Sequence, residues 1–202
     1  VITVTDLEGA TSEQSFTISV ANTNDAPVFI STPLTSAVED AEYSYTMIAE
    51  DVDEGDGLTY TAQTLPGWLN FDGTATISGT PTNDEVGDHS IVLMVTDNSG
   101  ATAEQSFTIS VANTNDAPVF TSTPTTSAIE DAGYSYTAAA SDIDVGDVLS
   151  ISGEYPSWLT LIDNGDGTAD LSGTPTNDEV GSHSIVITVT DLEGATSEQS
   201  FT

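Results

Sequence analysis

Two short acidic loops carry the most distinctive chemistry in this chain: DVDEGD beginning at Asp51 and DIDVGD beginning at Asp142. In the second, Asp142 and Asp144 alternate and so can point to one side of an extended loop, while Gly146 allows a tight bend and Asp147 closes it. Asp51, Asp53 and Asp56 make the corresponding set in the first. Asp97 and Asp191 each end an apolar, strand-like run and return toward the same pole. The stretch VANTNDAPVF, at Val20–Phe29 and again at Val111–Phe120, adds Asn113, Asn115 and Asp116 in its second copy. Carboxylates mixed with amide and backbone carbonyls are what calcium requires, since it takes six to eight hard oxygens in a flexible shell.

Charge points the same way. The sequence has 33 acidic residues, no lysine or arginine and two histidines, a net charge of −33. Nucleic acid and anionic membrane surfaces need basic patches and are excluded as partners. Two carboxylates ~4 Å apart repel by roughly 4 kcal/mol at an effective dielectric near 20. Clustered acids must therefore be spread in water, screened by salt or bridged by metal. Cysteine is absent, which removes disulfides and thiolate metal sites. No apolar run approaches the ~18 residues of a membrane span.

The elements that position these residues repeat. NDAPVF recurs 91 residues apart, at Asn24 and Asn115, as do the two acidic loops. GTPTNDEVG at Gly79 and Gly173 is 94 apart, with one residue lost near Thr64 and four gained near Ile162–Gly165 in the turn-like DNGDGT. Residues Val1–Thr17 are identical to Val186–Thr202. The expected division is 1–22, the last two strands of a preceding repeat; 23–113, one complete repeat; and 114–202, a second whose final strand is truncated. Exposed strand edges then suggest head-to-tail strand exchange, with the amino-terminal strands of one copy filling the gap in the next.

Within each repeat the apolar residues alternate. Ile91, Leu93 and Val95 share a face, as do Phe107, Ile109 and Val111, and Tyr43, Tyr45 and Met47. Leu58 with Tyr60 mark a further strand, and Tyr134, Tyr136, Ala138, Leu149 and Ile151 repeat the pattern. About seven short strands per repeat, bounded by Gly, Asp, Asn and Pro turns and without an amphipathic helix, predict an all-β fold of tandem immunoglobulin-like Greek-key sandwiches. VANTNDAPVF reads as the hinge, a strand end followed by a strand that restarts after proline. Trp68 and Trp158 read as core aromatics, the alternative being a sugar-stacking platform with Tyr155.

The strings LPGWLNFDGTATISGTPTNDEVG, YPSWLTLIDNGDGTADLSGTPTNDEVG, SYTMIAEDVDEGDGLTY and ANTNDAPVF cover nearly the whole chain. Together they resemble the cadherin-like, dystroglycan-type tandem repeats of large bacterial RTX-type surface adhesins. The resemblance implies calcium at domain junctions and a spacer role on the bacterial surface, with Ala112 where cadherin linkers often carry an acid. It further implies that Glu39 and Asp84 or Glu85 face Asn113, Asn115, Asp116, Asp142, Asp144 and Asp191 across one junction. Glu130, Asp131, Asp178 and Glu179 would serve the next junction, and Asn22, Asn24, Asp25, Asp51, Asp53 and Asp97 the previous one.

Several readings compete. Acidity alone suits a protein kept soluble in high salt, where the Debye length falls to about 4 Å. That accounts for the mean charge but not for acids recurring at fixed phase. Paired carboxylates serve glycoside hydrolysis, but here the pairs recur in every repeat and converge on no single pocket, so the reading is non-enzymatic. A carbohydrate-binding module using exposed aromatics is the alternative function. His89 and His183 precede strands and read as packing residues. DNGDGT departs from EF-hand spacing and reads as a hairpin turn.

Overall fold

A computed structural model describes residues 1–202. It contains 18 strands and two 3-10 turns, and no helix is long and apolar enough to cross a membrane. The strands of the first half are β1 (Ile2–Thr5), β2 (Thr11–Gln14), β3 (Val28–Phe29), β4 (Ser36–Val38), β5 (Tyr43–Thr46), β6 (Ala49–Glu50), β7 (Thr59–Thr64), β8 (Asn70–Phe71), β9 (Thr76–Gly79), β10 (Gly87–Thr96) and β11 (Thr102–Ala112). Those of the second are β12 (Val119–Phe120), β13 (Tyr134–Ser141), β14 (Ser150–Glu154), β15 (Leu159–Asp163), β16 (Thr168–Gly173), β17 (Ile185–Thr190) and β18 (Thr196–Phe201). The 3-10 turns are Asn83–Glu85 and Asn177–Glu179.

The chain divides into two compact units. One comprises Val1–Leu34, Ser44–Ser78 and Ser90–Thr108; the other comprises Thr35–Tyr43, Gly79–His89 and Ile109–Thr202. Glu39 and Asn83, which lie far upstream of the second acidic loop in sequence, thus belong to the same unit as that loop.

In the first unit β1 and β2 form an exposed antiparallel hairpin. β3 starts immediately after the buried Pro27 and pairs antiparallel with β6. β10 follows the predicted alternation, burying Ile91, Leu93 and Val95, and pairs antiparallel with β7 through a bulge between Val92 and Leu93. Tyr45, Met47, Trp68, Leu69 and Ile77 are also buried. Each fully buried aliphatic or aromatic side chain contributes roughly 1.5–3 kcal/mol.

In the second unit one sheet runs β12-β13-β16-β15 and another β14-β17-β18. They share a core of Tyr134, Tyr136, Ala138, Leu149, Ile151, Leu159, Ala169, Leu171, Ile185, Ile187 and Val189. Nearly all come from alternate strand positions, as expected of half-buried antiparallel sheets. DNGDGT is the connection of the β15–β16 hairpin.

The same unit holds a short parallel pairing. β4 lies beside the end of β11 with Ser36, Ala37 and Val38 opposite Ser110, Val111 and Ala112. Ala37 is buried there, and Glu39, the residue that follows β4, is buried too. The chain turns sharply at Asp40, whose φ of 58° lies in the left-handed region that Asp tolerates better than most residues.

Candidate cation sites

Each acidic loop is organised by its own backbone. The Asp53 N–H donates to Asp51 Oδ1 at 2.9 Å and the Asp144 N–H to Asp142 Oδ1 at 2.9 Å. Gly55 and Gly146 take φ of 95° where the loops reverse, a conformation glycine adopts without steric cost. Asp97 and Asp191 directly follow β10 and β17. Asp97 Oδ1 accepts from the N–H groups of Ser99 and Ala101 at 2.9 and 2.8 Å. Asp191 Oδ1 accepts from those of Gly194 and Ala195 at 2.6 and 2.7 Å. One oxygen of each thus folds its own turn and the other faces the loop cluster.

The linker amides take up those remaining oxygens. In the first unit Asn24 Nδ2 donates to Asp97 Oδ2 at 2.8 Å, Asn22 Nδ2 to Asp53 Oδ1 at 2.7 Å, and the Asp25 N–H to Asp53 Oδ2 at 2.7 Å. In the second, Asn115 Nδ2 donates to Asp191 Oδ2 at 2.8 Å and the Asp116 N–H to Asp144 Oδ2 at 2.8 Å. The Asn115 amide, before all other influences, holds Asp191 below the ordinary carboxylate range, and the Asn24 amide does the same for Asp97. Asp144 is also lowered, chiefly by the Asp116 N–H and further by the amides of Asn113 and Asn83, against desolvation and the charge of Asp191. Burial, and then the charges of Asp97, Asp51 and Asp53, push Asp56 above the ordinary carboxylate range.

The second unit adds two residues from far upstream. Glu39 is 2% exposed; its Oε1 accepts the Thr114 N–H at 2.5 Å, and its own N–H donates to the Ala112 carbonyl at 3.0 Å. Its Oε2 is buried with no protein partner, a costly state for a carboxylate oxygen. Asn83, in the 3-10 turn, donates through Nδ2 to Asp144 Oδ1 at 2.8 Å and to Asn113 Oδ1 at 3.3 Å.

Three groups of carboxylates have oxygens all within 4.8 Å of one another: Glu39, Asp116 and Asp144; Asp142, Asp144 and Asp147; and Asp51, Asp56 and Asp97. That span fits oxygens at either side of a calcium ion with 2.3–2.6 Å bonds. Asp144 belongs to two of the groups. Asp142 Oδ2, Asp147 Oδ2 and Asp51 Oδ2 are, like Glu39 Oε2, buried without a partner. The donor set is all oxygen, with no sulfur or imidazole, and it suits a hard divalent cation.

The remaining expected ligands lie elsewhere. Glu85 Oε2 accepts from the N–H and hydroxyl of Thr82 at 2.9 and 2.8 Å, and this capping box lowers its pKa. Glu179 does the same with Thr176 at 2.7 and 2.7 Å. Asp84, Asp178, Glu130 and Asp131 are exposed. Asn83 was not anticipated from the sequence. The Thr82-x-x-Glu85 spacing is itself a capping-box signature; it commits Glu85 to the turn and leaves the intervening Asn83 as a residue to consider.

The aromatics form no exposed pair. Trp68 is buried, and Trp158 packs edge-on against Tyr134 and His183 with centroids 5.9 and 6.0 Å apart. His183 and His89 place Nε2 2.6 Å from the carbonyls of Glu179 and Glu85, tying each strand to its 3-10 turn.

A family model described as "Putative Ig domain" matches residues 26–112 and 117–202. No curated protein matches the chain. Among solved structures, the PcdhgB3 EC1-4 fragment aligns over 99% of this chain and 62% of its own, at 17% identity and a TM-score of 0.66, a likeness of fold alone. The protocadherin GammaB4 extracellular domain aligns over 91% of this chain and 32% of its own, at 26% identity and a TM-score of 0.62. An endo-fucoidan hydrolase of glycoside hydrolase family 107 aligns over 98% of this chain and 32% of its own, at 27% identity, but with a TM-score of 0.40.

Proposed function

The chain belongs to this Ig-domain family in two tandem copies, and from that premise we propose that it is a calcium-stiffened spacer in a large bacterial surface adhesin. The observation that carries the reading is Glu39. A carboxylate from the pole of one repeat is buried beside Asp116 and Asp144 of the next loop cluster, with one oxygen lacking any partner in the protein. A divalent cation at Glu39, Asp116 and Asp144 compensates that oxygen, and a second at Asp142, Asp144 and Asp147 shares Asp144 with the first. Asn113, Asn115, Asn83 and Asp191 lie close enough to complete or orient the shells.

The activity is mechanical. The cations neutralise mutually repelling acids and tie the Asn113–Asp116 linker to both flanking poles, so successive repeats hold a fixed angle and project a distal binding region. An extracellular setting of the RTX-adhesin type, with adhesion or biofilm formation as the outcome, agrees with the likeness to cadherin extracellular domains and with the millimolar calcium that weak extracellular sites need. The unit bounded by residues 23–113 and its successor 114–202 are the natural rigid bodies of such an array. Catalysis has no part in this reading.

Small-angle scattering in millimolar calcium and then in excess chelator, with calorimetry to count ions, tests it. The expected result is a stiff rod with calcium and a flexible ensemble without it. An unchanged profile with no heat of binding would mean that the acids serve only solubility in salt.

A further inference from the structure

One polar arrangement is unused by the cation reading, and it occurs in both units. In the first, the Tyr45 hydroxyl donates to Gln105 Oε1 at 2.7 Å and Gln105 Nε2 donates to the Ser31 carbonyl at 3.0 Å. Ser31 Oγ lies 2.6 Å from the Tyr45 oxygen; the tyrosine proton is already given to Gln105, so the serine hydroxyl is the donor. The three residues close a ring, and Ser31 Oγ also accepts the Ile48 N–H at 2.9 Å. The second unit repeats it. Tyr136 donates to Gln199 Oε1 at 2.6 Å, Gln199 Nε2 to the Ser122 carbonyl at 2.8 Å, and Ser122 Oγ lies 2.7 Å from the Tyr136 oxygen and accepts the Ala139 N–H at 2.8 Å. Both tyrosines are buried, edge-on to Phe107 and Phe201.

Each ring sits at a strand pairing too short to fix its own register. β3 meets β6 through Val28 with Glu50 and Phe29 with Ala49, and β12 meets β13 through Val119 with Ser141 and Phe120 with Ala140. Beyond one end of each pairing lie the linker and the acidic loop, where the Asp25 N–H reaches Asp53 Oδ2 and the Asp116 N–H reaches Asp144 Oδ2. A slip of one residue would carry the linker about 3.3 Å along the loop and break those bonds. Ser31 and Ser122 oppose it, because each holds the N–H of the residue three before its acidic loop.

We propose that Tyr45 and Tyr136 are positioning residues: through Ser31 and Ser122, each hydroxyl holds its linker in register with its own acidic loop and so sets the cation affinity of that loop alone. The effect on affinity rests on the calcium reading; the effect on register does not. The hydroxyls bond to serine and glutamine, not to a carboxylate, so they act through the strands they tie. Replacing either tyrosine with phenylalanine keeps the edge-on ring against Phe107 or Phe201 and removes the one hydroxyl that joins serine to glutamine.

Calcium calorimetry on the intact chain, joined to amide exchange in chelator, tests this. Tyr136→Phe should weaken binding at the second loop about tenfold, as loss of a group that orients metal ligands does, and leave the first loop unchanged; Tyr45→Phe should do the reverse. In chelator, the Asp116 N–H should exchange faster in Tyr136→Phe while that of Leu171, fully buried in β16, keeps its rate. Gln199→Met opens the same ring from a half-buried position and should reproduce both effects. Equal weakening of both loops, or equal acceleration at Asp116 and Leu171, would be a general loss of stability and overturns the proposal. So does an Asp116 N–H indifferent to both variants, or a second-loop affinity unchanged in a chain that binds calcium. A wild type that takes up no calcium overturns the spacer reading instead, and exchange at Asp116 then decides the role of the ring by itself.

Discussion

The loops Asp51–Asp56 and Asp142–Asp147 are near copies, and their backbones and Asn-linker bonds are laid out alike. What differs is the acceptor side of the central aspartate. Asp53 Oδ1 takes the amide of Asn22 from its own linker, whereas Asp144 Oδ1 takes that of Asn83, contributed from 61 residues upstream, with Glu39 alongside. In the second cluster the local loop supplies Asp144, the linker supplies Asp116, and the β4–β11 pairing brings Glu39 to them.

Glu39→Gln is the sharpest way to collapse this difference. Calorimetry on the intact chain should resolve a tight class at the loop with Glu39 and a weaker class at the first loop. The substitution should weaken the tight class about 100-fold, close to 2.7 kcal/mol and well within the ~4 kcal/mol that one charge supplies at 4 Å. Stability in chelator should not fall, because the amide oxygen still accepts the Thr114 N–H. Loss of the weak class instead would contradict the assignment.

Asn83→Ala should act in the same direction by less, about fivefold, since a neutral donor to one carboxylate is worth about 1 kcal/mol. Asn177→Ala, at the exposed equivalent, should leave both classes unchanged.

The smallest effect separates the two hairpins rather than the two loops. Asp72 accepts from the Thr74, Ala75 and Thr76 N–H groups and the Thr74 hydroxyl, and the backbone bond to Thr76 contributes most to a pKa lowered from 3.8 to about 2. Its folded pKa lies below its unfolded one, so its stabilisation is complete above 3.8 and fades as pH falls toward about 2. Denaturation of the wild type and Asp72→Asn should differ near neutrality, by a small amount at so exposed a site, and draw together as the pH falls through about 2.

Much of this was legible beforehand. Alternation placed Ile91, Leu93 and Val95 in the core, and the family match and the sheets agree with the all-β tandem sandwiches that the turns implied. The acidic loops announced themselves by spacing. Glu39 came only from resemblance, because its burial depends on β4 lying parallel to a strand more than 70 residues later, which no local pattern encodes. Asn83 escaped because charge drew attention to Asp84 and Glu85, while backbone capping had already claimed Glu85.

The parallel pairing also fixes how the chain meets a load. Tension along the polypeptide pulls β4 by its amino-terminal end and β11 by its carboxy-terminal end. In a parallel pair those pulls oppose each other along one axis, so the hydrogen bonds across Ser36–Val38 are sheared together rather than unzipped in turn. The same three residue pairs that carry Glu39 inward are thus a clasp against extension, and the repeat should yield to force only when they part as a group.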